Sequence, residues 1–330
     1  MKTEIKEIDM KTKRLGKSDL SITPVGFGAW AIGGSGWEFG WGEQDDEQSV
    51  AAIHRALELG VNWIDTAAAY GFGHSEQVVG RALQGVTDRP YVFTKCSLVE
   101  GPDRTVRHDL SRDSVLREAE ASLKRLGIDA IDLYQIHWPD PEPQIEQGWA
   151  ALAELKEQGM VRHIGVSNFG SEQLRRIAQI APVETLQPPY SLVARDAEAE
   201  LLPFAERAGI GVIVYSPMGS GLLSGGMTRE RIAAMPDDDW RKRETRFQEP
   251  RLSEHLALVR RLARVAQRHE TTPGAVAVAW TLRNPAVDAA IVGFRRPDQV
   301  DPLLAAADLT LTHQDLADIE DLAETEDGAR

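Results

Sequence analysis

Four groups that can move or steer a proton stand where short apolar runs end. Asp65 closes "WID", Lys95 follows "VFT", and His137 follows "LYQI". Tyr70 comes after a run of alanines beyond Asp65 and is followed by Gly71. Together they suggest proton donation from a tyrosine. A phenol has an ordinary pKa of about 10 and is a poor acid at neutral pH. A lysine ammonium ~4 Å away favours phenolate by up to ~4 kcal/mol at an effective dielectric of ~20, or ~3 pK units. The sequence therefore predicts that Lys95 draws the Tyr70 phenol toward neutrality. Asp65 would hold Lys95 charged and oriented, offsetting part of that effect. His137 would polarise a carbonyl oxygen or relay its proton.

Other run ends carry polar or aromatic residues too: Trp30, Trp138 beside His137, Ser167 with Asn168, Gln187, Tyr215 with Ser216, and Gly293. Taken singly, each reads as an ordinary turn or surface residue. Taken together, they make one set rich in hydrogen-bonding and titratable groups. Competing chemistries find no support. No H-x-H, H-E-x-x-H or cysteine cluster offers a metal site. "YSPMGSGLL" contains no G-x-S-x-G elbow, and no G-x-G-x-x-G opens a first strand–helix turn.

The elements that must position these groups repeat as one unit: a short β-rich run, a loop, then an amphipathic stretch with 3.6-residue periodicity. Strands are predicted at 25–27, 63–65, 91–95, 133–136, 163–166, 185–187, 211–215 and 289–292. Helices are predicted at 46–59, 76–83, 113–126, 145–158, 172–180, 199–208, 256–269 and 273–283, several of them stopped by glycine, as at Gly60, Gly127, Gly159 and Gly209. Eight such units suggest a (β/α)8 barrel, a TIM barrel, in a single domain over residues 1–330; counting alone also allows a doubly wound open sheet. In a barrel, the run ends gather on one functional face. "KRLGKSDLSITP" reads as a hairpin plugging the other end, and further helices follow the eighth strand. Residues 219–250, Gly-rich and then strongly charged, read as a mobile, cofactor-covering loop.

Composition narrows the function classes. The chain has 330 residues and a formal net charge of −14, which argues against non-specific nucleic-acid binding. Its single cysteine, Cys96, excludes an intrachain disulfide framework and fits a reducing compartment. "MKTEIKEIDMKTKR" lacks the apolar core of a secretory signal, and no apolar run is long enough to span a bilayer. A cytoplasmic protein without membrane partners is expected, with residues 1–11 as a disordered extension.

At this point the sequence resembles the aldo-keto reductase superfamily from Lys13 to about Asp318. The matching segments are "GFGAWAIGG", "WIDTAAAYGFGHSE", "VFTKC", "LYQIHWPD", "IGVSNF", "LQPPYS", "VYSPMGSGLLSG" and "AIVGFRRPDQV". The resemblance implies a (β/α)8 barrel and a cofactor, usually NADP(H), bound without a Rossmann domain. The family's catalytic tetrad maps onto Asp65, Tyr70, Lys95 and His137. Its residues holding the nicotinamide carboxamide map onto Ser167, Asn168 and Gln187, and its stacking ring onto Tyr215. Its pyrophosphate loop maps onto Ser216, Met218, Gly221 and Leu222. The adenosine end maps onto Gly293, Phe294, Arg295 and Gln299, with Arg295 and Arg296 suited to a 2′-phosphate because guanidinium forks match phosphate oxygens.

Two departures stand out. Pro302 and Leu303 occupy positions where many relatives carry Glu-Asn to hold adenine, which leaves NAD(H) open beside NADP(H). Ala29 replaces a common threonine. Trp30, Trp37, Trp41 and Trp138 are expected to line a substrate mouth for small carbonyl or alcohol compounds. The reading is an oxidoreductase interconverting aldehydes or ketones and alcohols. Its alternatives are a sugar or cyclitol dehydrogenase, which the general-stress and sugar-dehydrogenase likeness of "IHWPD" and "YSPMGSGLL" suggests, and a cofactor-sensing regulatory subunit.

Overall fold

Runs rich in Val, Ile and aromatic residues suit a pleated, buried surface, and here they close on themselves. The computed structural model describes residues 10–320. A short antiparallel hairpin, β1 (Lys13–Arg14) and β2 (Ser21–Ile22), precedes β3 (Val25–Gly28), β4 (Trp63–Asp65) and β5 (Tyr91–Cys96). A second hairpin, β6 (Leu98–Glu100) and β7 (Val106–His108), is followed by β8 (Ile131–Ile136), β9 (Val161–Ser167), β10 (Thr185–Gln187), β11 (Gly211–Val214) and β12 (Ala289–Gly293). Strands β3, β4, β5, β8, β9, β10, β11 and β12 form a closed parallel barrel in that order. All eight lie where the sequence places them. The fold is the expected (β/α)8 barrel.

Helices wrap the strands because their apolar faces need cover. Asp45 starts the helix Asp46–Glu58 by accepting the backbone N–H of Glu47 at 2.8 Å. Gly127, at φ 67°, ends the helix Arg112–Leu126. The helix Pro273–Leu282 opens on Thr272, whose hydroxyl accepts the Ala275 N–H, and nearly all of it is buried. Helices Val300–Leu304 and His313–Glu320 follow the last strand.

Inside the barrel, alternate residues of each strand point inward. One layer consists of Trp63, Phe93, Leu133, Ile213 and Ile291, packed on Leu15, Leu20 and Ile22 of the hairpin. That hairpin is the plug the sequence suggested. Gly26 is required beside it, because a Cβ there would sit 2.1 Å from the Trp63 ring. Of the extension expected over residues 1–11, residues 1–9 lie outside the described residues, and Met10 packs against the core.

Residues 219–250, expected as a mobile cover, have packing of their own. Leu222, Met227, Met235, Phe247 and Leu252 form a separate apolar cluster. The segment is clasped to the loop after β3. Trp240 N–H donates to Gly40 O at 3.1 Å, and the Arg243 guanidinium donates to Glu38 O at 2.6 Å. Long polar stretches hide such packing because their apolar residues are few and aperiodic.

Candidate active site

Two residues beyond the apolar layer, the same strands present a polar one. Lys95 Nζ donates to Asp65 Oδ1 at 2.6 Å and to Thr66 O at 2.8 Å, and lies 3.5 Å from the Tyr70 hydroxyl. Asp65 Oδ2 accepts from Gln187 Nε2 at 2.9 Å and from Gln135 Nε2 at 3.5 Å. Tyr70 is brought back to this layer by a turn at Gly71, at φ 64°, where a Cβ would collide with Gly33 O at 2.1 Å. Its ring meets the His137 ring edge-on at 5.6 Å between centroids. The four residues selected from the sequence therefore converge.

The electrostatics depart from the sequence expectation. Burial pushes the Tyr70 phenol well above its ordinary value, and the Asp65 and Tyr215 charges push the same way. Burial lowers Lys95, opposed by Asp65. The reason is geometric: Lys95 sits closer to Asp65, at 2.6 Å, than to Tyr70, at 3.5 Å, so most of its charge is matched there and its pull on the phenol is outweighed by burial. Tyr70 therefore keeps its proton at neutral pH. Burial, then Lys95 and His108, holds His137 well below the usual imidazole range, so the ring is neutral. His137 Nδ1 is buried without a partner. A buried N–H with no acceptor is costly, so the single ring proton belongs on Nε2.

Asp65, Tyr70 and His137 line a cavity of about 670 Å³ at the C-terminal mouth of the barrel, within the range of small-molecule sites. Ser167, Asn168, Gln187, Tyr215, Ser216, Met218, Gly221, Gly293, Arg295 and Gln299 all line it. The Tyr215 hydroxyl donates to Asn168 Oδ1 at 2.8 Å, Asn168 Nδ2 donates to His137 O at 2.9 Å, and the Ser167 hydroxyl donates to Gln187 O at 2.9 Å. Asn168 and Ser216 hold left-handed backbones, φ 63° and 55°, an uncommon geometry that gathers at functional sites. Gly293 leaves open the space a Cβ would fill: the nearest atom to such a Cβ is Gly28 O at 3.9 Å. An elongated ligand lying from Tyr215 across Gly293 toward Gln299 fits this lining.

Three predicted cofactor residues sit elsewhere. Leu222 is wholly buried in the apolar cluster of the 219–250 segment, and its N–H is spent on Gly219 O. Phe294 is buried and packs at a tilt against Phe27, with centroids 5.4 Å apart. Arg296 is exposed and ion-paired with Asp298 at 3.0 Å. Exposed runs after a strand look alike in sequence whether a side chain turns toward a cavity or away from it.

Trp30, Trp37, Trp41 and Trp138 all line the cavity, together with Phe39, Leu98, Val106 and His108. Trp30 stacks on Trp240 at 5.0 Å and meets Trp41 edge-on at 5.2 Å. Gln135 and Trp240 went unrecognised in the sequence. Gln135 carried a usable signal, since it lies two residues before His137 on the same inward face. Trp240 carried none.

A parallel barrel whose mouth gathers a buried Asp–Lys pair, a protonated tyrosine and a neutral histidine can hold a small molecule and pass it a proton. The Aldo/keto reductase family model matches residues 24–324, and the chain belongs to that family. It is 39% identical to an aldo-keto reductase of Bacillus subtilis, YhdN, over 96% of this chain and 94% of the relative. It is 34% identical to an NADH-specific methylglyoxal reductase of Escherichia coli, over 96% and 99%. Among solved structures, a glycerol dehydrogenase from Gluconobacter oxydans superposes with a TM-score of 0.84 at 38% identity, covering 94% of each chain. A Bacillus halodurans aldo-keto reductase in its holo form gives 0.75 at 26% identity, covering 94% and 95%. The protein is an oxidoreductase that uses a nicotinamide cofactor. Among the described residues, no helix is long and apolar enough to cross a membrane.

Proposed function

We propose that this chain reduces aldehydes and ketones to alcohols with NADP(H) or NAD(H), Tyr70 acting as the general acid. The observation that carries the reading is the protonated Tyr70 hydroxyl, 3.5 Å from Lys95 and facing the same cavity as His137. Ser167, Asn168, Tyr215, Ser216 and Gly293 would hold the cofactor, which when bound supplies a hydride to the substrate carbon. Nε2–H of His137 orients and polarises the carbonyl oxygen. As negative charge develops on that oxygen, Tyr70 Oη gives up its proton to it. The Lys95–Asp65 pair steadies the phenolate left behind, which regains its proton from solvent. These groups are fixed before charge appears, which is where electrostatic stabilisation is largest.

The aromatic mouth discriminates weakly among small carbonyls, since apolar pockets reject by size more than by chemistry. Relatives named for methylglyoxal and glycerol point to short, oxygen-rich substrates, and the glycerol dehydrogenase favours a second reading in the oxidative direction. Cofactor preference is set by Arg295. Its guanidinium donates to Gln44 Oε1 and Glu43 O, each at 2.5 Å, so a 2′-phosphate must displace existing bonds and gains little net. The nicotinamide chemistry and a single, buried cysteine suit a cytoplasmic setting. The test is steady-state turnover of methylglyoxal, an aromatic aldehyde and glycerol, each with both cofactors. Turnover with a carbonyl substrate is expected, at less than about tenfold preference for NADPH. No turnover of any carbonyl would overturn the reading.

A further inference from the structure

Arg295 bonds to a loop 251 residues away in sequence. Its Nε donates to Gln44 Oε1 at 2.5 Å, one Nη to Glu43 O at 2.5 Å and the other to Trp41 O at 3.3 Å. Gln44 returns a bond from Nε2 to Arg295 O at 2.9 Å. Gln299 fixes the root of the side chain by accepting the Arg295 N–H at 2.8 Å. No ion pair to Arg295 occurs among the described residues. Its neighbours in charge are Arg241, Asp239, Arg296 and Arg231, a mostly cationic set that, after burial, lowers its hold on its own proton. A guanidinium served only by neutral oxygens, in a field that favours an anion, is drawn two ways.

The loop it holds is a wall of the substrate mouth. Trp41 meets Trp30 edge-on at 5.2 Å, Trp30 stacks over Tyr70 at 6.2 Å, and the Arg241 guanidinium lies 4.3 Å from the centre of the Trp41 ring. Packed aromatic rings transmit a backbone shift because cores repack in steps and do not deform smoothly.

We propose that Arg295 is a positioning residue that fixes the backbone at Trp41–Gln44, so that capture of a cofactor 2′-phosphate and organisation of the aromatic mouth compete for one guanidinium. The inference rests on the cavity being a nicotinamide and carbonyl site. NADH leaves the clasp intact. In turning toward a bound 2′-phosphate, Arg295 would release the Glu43 and Trp41 carbonyls and slacken the Trp41 wall. Bulky aromatic aldehydes, which need that wall, lose more than three-carbon ones.

The experiment compares kcat/KM for an aromatic aldehyde and for methylglyoxal with each cofactor, in the native chain, Arg295→Ala, Arg295→Lys and Gln44→Ala. Hydrogen exchange of the peptide 34–45 is followed in parallel without cofactor. In the native chain the aromatic-to-small ratio is higher with NADH than with NADPH. Arg295→Ala lowers the NADH ratio roughly tenfold, the scale of one lost charge-assisted hydrogen bond, chiefly through KM. It also speeds exchange in 34–45 and makes the ratio the same for both cofactors. Arg295→Lys, which cannot span three acceptors, restores little. Gln44→Ala loosens the mouth while keeping the cation. If Arg295→Ala raises only the NADPH KM, leaving the ratio and the exchange unchanged, the proposal is overturned. A native chain that turns over nothing would defeat the carbonyl-reductase reading, while the exchange measurement would still decide whether Arg295 holds the loop.

Discussion

Two layers of side chains fill the barrel, two residues apart along the same strands, and they have opposite characters. Trp63, Phe93, Leu133, Ile213 and Ile291 make the lower layer; Asp65, Lys95, Gln135, Tyr215 and Gly293 stand two positions on. The lower layer is apolar, closed by the hairpin, and its polar atom is satisfied: Trp63 Nε1 donates to Thr23 O at 2.9 Å. The upper layer buries a lysine, an aspartate and two amides, and leaves His137 Nδ1 unpartnered. Buried ion pairs add little to stability because desolvation offsets their attraction. On the proposed function the lower layer carries folding and the upper one chemistry, and substitutions should separate the two.

The largest effect is expected from Tyr70→Phe, which removes the transferable proton and leaves the ring stacked on Trp30. Turnover should fall at least ~10³-fold, within the range of general acid catalysis, with cofactor binding and melting temperature nearly unchanged. Retention of a few per cent of activity would remove Tyr70 from the role. The counterpart below is Gly26→Ala. Its Cβ would lie 2.1 Å from a fully buried indole, and overpacking of that severity costs about 3 kcal/mol. The urea midpoint should drop clearly. A variant as stable as the native chain, with activity lost instead, would contradict the division between layers.

Proton bookkeeping sharpens the upper layer. Because burial and Asp65 raise the Tyr70 pKa, the protonated form that reduction needs is present throughout the neutral range. Alcohol oxidation needs the opposite form. Its rate should rise about tenfold per pH unit above neutrality, while carbonyl reduction stays flat. Equal, bell-shaped profiles in both directions would show that Lys95 does bring the phenol close to neutral after all. A smaller effect follows for Gln135→Leu. It loses the contact to Asp65 and the acceptor Gln187 Nε2 uses at 3.3 Å. A roughly fivefold fall in kcat is expected from the loss of these two long hydrogen bonds, with stability held.

The layers also explain what could be read from the sequence. All eight barrel strands were legible, because short β-branched runs alternating with glycine-stopped helices leave few architectures. The convergence of Asp65, Tyr70, Lys95 and His137 was legible because strand ends gather on one face of a barrel. Gln135 escaped a reading confined to the last residue of each strand, although the two-residue period that joins Trp63 to Asp65 also joins Leu133 to Gln135. The pKa order escaped for another reason. Whether Lys95 acts on Tyr70 or is matched by Asp65 depends on 2.6 Å against 3.5 Å, a difference no spacing encodes. The hairpin β6–β7, short and charged, and the Arg295 clasp, which is wholly non-local, left no periodic trace.

The mildest test sits at the foot of the barrel, outside both layers. His163 of β9 bridges two carboxylates, with Nε2 at 2.7 Å from Asp19 Oδ1 on the plug hairpin and Nδ1 at 2.6 Å from Glu184 Oε2. Burial opposes its charge, but Glu184 and Asp19 outweigh burial and raise its pKa above the ordinary imidazole value. Glu184 is raised by burial and lowered further by His163 and Lys156, so on balance its pKa falls below the usual carboxylate range. A raised histidine contributes fully below its unfolded pKa of about 6.5 and loses that contribution as pH climbs through the folded value. A lowered carboxylate contributes above about 4.3 and loses its part as pH falls through its folded value. The latch is therefore strongest between about pH 5 and 6.5. The melting temperature of His163→Gln should lie furthest below that of the native chain in this window, and the gap should narrow toward pH 8. Asp19 is largely exposed, so its share of the effect stays near 1 kcal/mol or less, and activity at saturating substrate should not change. A gap that widens with rising pH would mean that His163 works through packing and not through charge.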